Sequence, residues 1–242
     1  MNINKIATLR NARGGDVPNV CLAAKYCQEF GAQGITIHPR PDGRHIRYSD
    51  ARALREIVNT EYNIEGFPDR SFIDLVIECK PDQVTLVPDS PDVLTSNSGW
   101  DTISNYNFLK DIIKELKRNN IRTSIFIECD NRKIEFAAKI GADRIELYTE
   151  NYAKEFIKSK QVSVLPYVNA SKVAINNGLG VNAGHDLDLN NLEFFAKSVD
   201  RLMEVSIGHA LIADAIYLGL ENSIQRYLYQ LELANKWKSQ NH

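Results

Sequence analysis

The chain has 242 residues, with 29 Lys+Arg against 31 Asp+Glu and a formal net charge of −2. That balance argues against a nucleic-acid protein working through a basic surface. Hydrophobic residues at 43% and charged residues at 25% are ordinary globular values, which excludes disorder, collagen and low complexity as global descriptions.

In chain order, short β-rich runs alternate with amphipathic helical runs. Strands are expected at residues 2–4, 34–38, 63–65, 83–87, 123–128, 144–148, 180–182 and 202–207, eight in all. Phe72, Ile73, Val76 and Ile77 share one helix face, and Phe108, Leu109, Ile112, Ile113 and Leu116 share another. Asp69 and Ser49 are expected N-caps. The junction Phe30-Gly31-Ala32-Gln33-Gly34-Ile35 resembles Ile140-Gly141-Ala142-Asp143-Arg144-Ile145; in both, a glycine ends a helix just before an apolar strand. Two helical pieces, 152–158 and 170–176, are expected between strands six and seven, and the stretch 210–237 is expected to break near Gly219.

Repeated strand–helix units predict a parallel sheet, and eight of them in this length predict an α/β fold of the (β/α)8 TIM-barrel type with extra helices. An open doubly wound sheet is the competing layout, but it usually carries a GxGxxG turn after its first strand, and the sequence has none. No Pro/Gly/Ser-rich linker divides the chain, so residues 1–242 are read as one barrel domain. No apolar run approaches the ~18–20 residues of a membrane helix. The N-terminus shows no signal-peptide pattern. Cys21, Cys27, Cys79 and Cys129 are too sparse for a disulfide scaffold and are read as reduced thiols of a cytoplasmic protein. No His/Cys cluster has metal-ligand spacing.

A parallel barrel binds its ligands at the C-terminal ends of its strands. The residues expected there are polar. Lys5 and a loop from Thr8 to Gly15 containing Arg13 follow the first strand; His38, Arg40, Arg44 and His45 follow the second. Glu65 ends the third, and the fourth leads to Thr95. Glu128-Cys129-Asp130 and Glu146 to Thr149 follow the fifth and sixth, Asn182-Ala183-Gly184-His185 the seventh, and Gly208-His209 the eighth. Four of the five histidines fall at these ends. Any one of them alone is more often a structural, hydrogen-bonded group; their convergence on one mouth is what points to function. Arginine forks suit anionic oxygens. A glycine leading into a helix N-terminus suits a phosphate. His38 and Glu65 on adjacent strands suit proton transfer. The residues alone therefore indicate an acid–base enzyme acting on a phosphorylated small molecule, with isomerase, aldolase and condensing enzyme all open.

The blocks Ile6-Ala7-Thr8-Leu9-Arg10-Asn11-Ala12-Arg13-Gly14, Gly34-Ile35-Thr36-Ile37-His38-Pro39-Arg40 with Arg44-His45-Ile46, Val181-Asn182-Ala183-Gly184-His185 and Ile207-Gly208-His209-Ala210 resemble the pyridoxine 5′-phosphate synthase family in order and spacing. That resemblance implies condensation of 1-deoxy-D-xylulose 5-phosphate with 3-amino-2-oxopropyl phosphate to pyridoxine 5′-phosphate. It implies no metal or organic cofactor, and a homo-octamer built from dimers. By resemblance, His38 and Glu65 are bases and His185 a proton donor. Arg40, His45 and Thr95 hold the sugar phosphate. Asn2, Arg13, Gly208 and His209 hold the aminoketone phosphate. A lid including Asn97-Ser98-Gly99 is expected, because reactive enamines need water excluded. The chain departs from the family pattern at Asn4 and Lys5, where the family carries Asp-His, and at Asp186, where it carries Gly; all three are kept as binding candidates. Two other classes stay open beside this: a class I aldolase with Lys5 as the Schiff-base amine, and a non-catalytic binder of phosphorylated ligands.

Overall fold

The computed structural model describes residues 1–88 and 98–241. Thr95 and Asn97 fall outside the described residues. Among the described residues, seven strands form one sheet in sequential order, every neighbouring pair parallel. They are β1 (Gly34–Ile37), β2 (Glu61–Gly66), β3 (Gln83–Leu86), β4 (Arg122–Ile127), β5 (Arg144–Tyr148), β6 (Gly180–Gly184) and β7 (Leu202–Ser206).

The expected first strand is absent as a strand. Asn2 forms a single parallel bridge to Thr36, and α1 (Asn4–Asn11) starts two residues later. The cause is local: the Asn2 side-chain oxygen accepts from the Asn4 N–H at 3.0 Å and turns the chain into the helix. The segment still closes the barrel. The Asn2 N–H donates to the Ile207 carbonyl (3.0 Å), the Ile3 N–H to Thr36 (3.1 Å), and the Thr36 N–H to Met1 (2.8 Å). It thus takes the place of a stave between β7 and β1. The residues expected as a loop from Thr8 are helical as far as Asn11.

Strand residues alternate between two environments. Ile35, Ile37, Tyr62, Ile64, Val84, Leu86, Ile125, Ile127, Ile145, Leu147, Val181 and Ala183 are fully buried. They form the outward face against the helices, since β-strand side chains alternate with period two. The inward positions are polar. Thr36, Asn63, Thr85 and Glu146 form a hydrogen-bonded chain across the barrel, with spacings of 3.4, 3.2 and 3.4 Å. Nearer the strand starts, Arg122 pairs with Glu61 and Arg144 with Glu204. Most of this interior is satisfied by hydrogen bonds and ion pairs, as burial of polar groups requires, with the Ser124 hydroxyl on β4 an exception.

The helices follow expectation at several junctions. Asp69 caps α4 (Arg70–Cys79) by accepting from the Phe72 N–H at 2.8 Å. Ser49 does not cap α3 (Tyr48–Arg55); it lies within that helix, and Asp50 reaches back to the Arg47 N–H at 2.8 Å. Gly31 and Gly141, at φ of +100° and +90°, end α2 (Val20–Glu29) and α6 (Asn131–Lys139) in the same way. The following Ala32 and Ala142 amides bond back to Cys27 and Ala137. The extra helices before β6 are α7 (Glu150–Phe156) and α8 (Lys160–Asn176), the second far longer than expected. The C-terminal stretch breaks at Gly219 into α10 (His209–Leu218) and α11 (Leu220–Asn241).

Candidate active site

β1 and β2 run in register, with Ile37 opposite Ile64, so His38 and Glu65 leave adjacent strands at one height. His38 is held from both ends. Its backbone N–H donates to Asn4 Oδ1 at 2.8 Å, and its ring lies edge-on to His45, centroids 5.9 Å apart. Burial, then the nearby Arg40 guanidinium, holds the His38 imidazole well below its ordinary pKa of 6.5. The ring is therefore neutral near pH 7 and suited to accept a proton. His45 is also depressed, to about 4, by burial first and then by Arg40 and Arg44. Its Nδ1 accepts from the Ile46 N–H at 2.9 Å, consistent with a neutral ring. Arg40 is buried beside them. Arg44 is engaged with Asp42 at 2.6 Å.

Glu65 receives a hydrogen bond from the Asn2 side-chain amide at 3.3 Å. Asn2 therefore touches the strand-end carboxylate while its side-chain oxygen holds the Asn4 N–H at the start of α1. Gly208 presses on the same asparagine: a Cβ there would stand 3.0 Å from Asn2 Cβ. Gly208 is the N-cap of α10 and His209 its first residue, which places a helix N-terminus at the end of β7.

Below Glu65 lies Glu146 on β5, 4% exposed. Burial, then the negative charges of Glu65 and Glu204, raises its pKa well above the usual carboxylate range. Gly184 has to be small here, because a Cβ would meet the Ser206 carbonyl at 2.4 Å and Glu146 Oε1 at 2.9 Å. Its place at a strand end was legible in the sequence. The burial of Glu146 was not, although the alternation of polar residues at Thr36, Asn63, Thr85 and Glu146 carries that signal.

On the far side, His185 follows β6 with a left-handed φ of +63°. Its ring lies edge-on to Tyr148, centroids 5.4 Å apart, and its Nδ1 is 2.8 Å from Asp186 Oδ2. The Asp186 N–H donates to Thr149 Oγ1 (3.1 Å) and to the Gly184 carbonyl (2.9 Å). Lys5 sits half-buried in the first turn of α1, where its charge adds to the depression of His45. Arg13 is exposed just beyond α1. Ser98-Gly99 leads back to β4 through the Trp100 N–H, which donates to the Phe126 carbonyl at 2.9 Å. A cavity of about 1120 Å³ lies elsewhere, between α11 and the strand starts at Gly34, Glu61, Arg144 and Leu202. Its Arg144 and Glu204 are paired with each other, at the end of the barrel away from the strand-end histidines.

One residue outside the expected set anchors this mouth. Arg10 is 1% exposed; it forms a two-pronged pair with Asp50 (2.7 and 2.8 Å) and donates to the His45 carbonyl at 3.2 Å. Asn11 donates to that same carbonyl at 2.7 Å. The loop carrying His45 is thus clamped to α1.

The family model described as "Pyridoxal phosphate biosynthesis protein PdxJ" matches residues 1–233. The chain belongs to the PdxJ family. It is 60% identical over 232 residues to the pyridoxine 5′-phosphate synthase of Christiangramia forsetii, covering 96% of this chain and 98% of that one. It is 59% identical over 227 residues to the protein of the same name from Bacteroides fragilis, covering 94% and 96%. The fold is shared more widely. Thiamine phosphate pyrophosphorylase from Pyrococcus furiosus superposes with a TM-score of 0.61 at 12% identity, over 88% of this chain and 90% of that one. Phosphoribosylanthranilate isomerase from Thermotoga maritima gives 0.58 at 16%, over 88% and 93%. Within the PdxJ family, then, this chain presents four histidines, the carboxylates Glu65 and Glu146 and a helix N-terminus at the strand ends of a barrel.

Proposed function

We propose that the chain condenses 1-deoxy-D-xylulose 5-phosphate with 3-amino-2-oxopropyl phosphate into pyridoxine 5′-phosphate, with release of inorganic phosphate and water. The observation that carries the reading is the pairing of a neutral His38 with Glu65 at one height on adjacent strands, inside a PdxJ chain. Imine formation, phosphate loss, hydration and ring closure all move protons, and several remove one beside a carbonyl or imine. Such a sequence needs groups that exchange protons more than it needs one strong nucleophile.

His38 serves as one base, its ring kept neutral by burial and the neighbouring guanidinium. Glu65 serves as the other. Burial, then the negative charge of Glu65, favours the protonated form of the deeper Glu146. His185 donates from the opposite wall. Arg40 and His45, with Thr95, hold the sugar phosphate, and Asn4 and Lys5 shape that rim. Gly208 and His209 at the start of α10, with Arg13 and Asn2, receive the aminoketone phosphate, where a helix N-terminus favours an anion. Asp186 lies beside His185 on that wall.

We place the enzyme in the cytoplasm as a homo-octamer of dimers, one domain per chain. Free cysteines at Cys21, Cys27, Cys79 and Cys129 fit a reducing compartment. Ile216 and Tyr217, 77% and 87% exposed on α10, supply apolar surface for a subunit contact. No helix among the described residues is long and apolar enough to cross a membrane.

The test is direct. Purified protein is incubated with both substrates, and pyridoxine 5′-phosphate and inorganic phosphate are followed together. Product that requires both substrates supports the reading; phosphate release from either substrate alone, without the ring product, contradicts it.

A further inference from the structure

We propose that Asp186 is a positioning residue for His185, its carboxylate accepting from Nδ1 and fixing the ring's tautomer and direction. The contact is 2.8 Å between Nδ1 and Oδ2. The proposal rests on the reading of His185 as the proton donor.

Both partners are held where the contact needs them. The Asp186 N–H bonds to Thr149 Oγ1, and its carbonyl accepts from Asn191 Nδ2 at 3.3 Å. Asn191 is itself buried and accepts from the Asp188 N–H at 2.9 Å. The backbone of Asp186 is therefore pinned on both sides, which leaves its carboxylate few directions. His185 adopts the left-handed region at φ +63°, an uncommon setting for a residue with a Cβ. Its ring rests edge-on against Tyr148.

Among the described residues, Glu150 of α7 also acts on this ring electrostatically, and it is paired with Lys154 at 2.8 Å. Tyr148 faces it from β5 as an uncharged phenol. Asp186 is thus the carboxylate in direct contact. An acceptor on Nδ1 leaves Nε2 to carry the transferable proton. An adjacent negative charge also favours the protonated ring, the form a donor must be in before it acts.

Asp186→Asn keeps the volume and an acceptor oxygen but removes the charge. In full-length protein labelled at histidine nitrogen, the His185 titration is read by NMR, assigned by its loss in His185→Gln. We expect its midpoint to fall by about one unit in Asp186→Asn, the lower end of what a contacting opposite charge produces. The alkaline limb of kcat should move down by the same amount, so kcat well above that limb falls about tenfold. The KM of each substrate should change less than about threefold, the mark of a lost proton-transfer function rather than lost binding. Asp186→Glu should return the limb toward wild type. An unchanged midpoint in Asp186→Asn overturns the pairing. A moved midpoint with a fixed kcat limb overturns the positioning role while product formation still stands. Absence of product from the wild type would fail the functional reading instead, and the titration would still decide whether the pair exists.

Discussion

The Asn2 side-chain amide donates to the Glu65 carboxylate across 3.3 Å, joining the segment that closes the barrel to the strand-end acid. The same asparagine accepts from the Asn4 N–H, and Asn4 in turn accepts from the His38 N–H. Barrel closure and the placement of His38 and Glu65 are therefore one hydrogen-bonded chain.

Asn2→Ala removes both contacts. We expect kcat to fall about ten- to hundredfold, the cost of a misplaced catalytic group, with a loss of about 1 kcal/mol in stability from the lost hydrogen bonds. Steady-state kinetics and urea unfolding check it. A KM effect alone, with kcat intact, would mean that Asn2 only binds phosphate. Gly208→Ala should resemble Asn2→Ala, because the added methyl would press on Asn2.

Glu146 carries a pH signature. Its pKa is raised in the folded state by burial, then by Glu65 and Glu204, from an ordinary 4.5. Between the unfolded and folded values the folded chain holds more protons, so this group's stabilising effect is complete below 4.5 and is lost as pH rises. Glu146→Gln, which has no proton to lose, should raise Tm relative to wild type at pH 8, and the difference should vanish below pH 4.5. Turnover should stay within a few-fold of wild type, since the neutral amide stands in for the protonated carboxyl. Thermal melts across pH measure the first part; a Tm difference independent of pH would contradict it.

Much of this was readable from the chain because parallel strands repeat a short apolar signal between helices. Residues 144–148 are a strand as expected, and the Gly31 and Gly141 stops work alike. The first strand failed for a reason invisible to periodicity: Asn2 uses its side chain to start a helix. The length of α8 was masked by Pro166, which usually ends a helix but here sits inside one. The strand-end histidines were visible in one dimension. The contacts of Asn2 with Glu65, Thr85 with Glu146 and Arg10 with Asp50 join residues far apart in sequence, and no local pattern announces such pairs.

Lys5 separates condensation from aldolase chemistry. Its ammonium lies near enough to His45 to help depress that ring, which suits a phosphate contact at the sugar-phosphate rim. Lys5→Ala should raise the KM for 1-deoxy-D-xylulose 5-phosphate about tenfold, the order expected for one charge-assisted contact, with a smaller change in kcat. Borohydride treatment in the presence of substrate, read by mass spectrometry, should leave Lys5 unmodified. A covalent adduct on Lys5 would establish a Schiff-base mechanism instead.

The central claim is that Glu65 moves protons in the making of pyridoxine 5′-phosphate. Glu65→Gln keeps the shape of the side chain and its place beside Asn2 while removing its basicity. With both substrates saturating, the account predicts a loss of product formation of about 10²–10⁴-fold, with substrate affinities changed by no more than a few-fold. Turnover within a few-fold of wild type in a folded Glu65→Gln protein would contradict it.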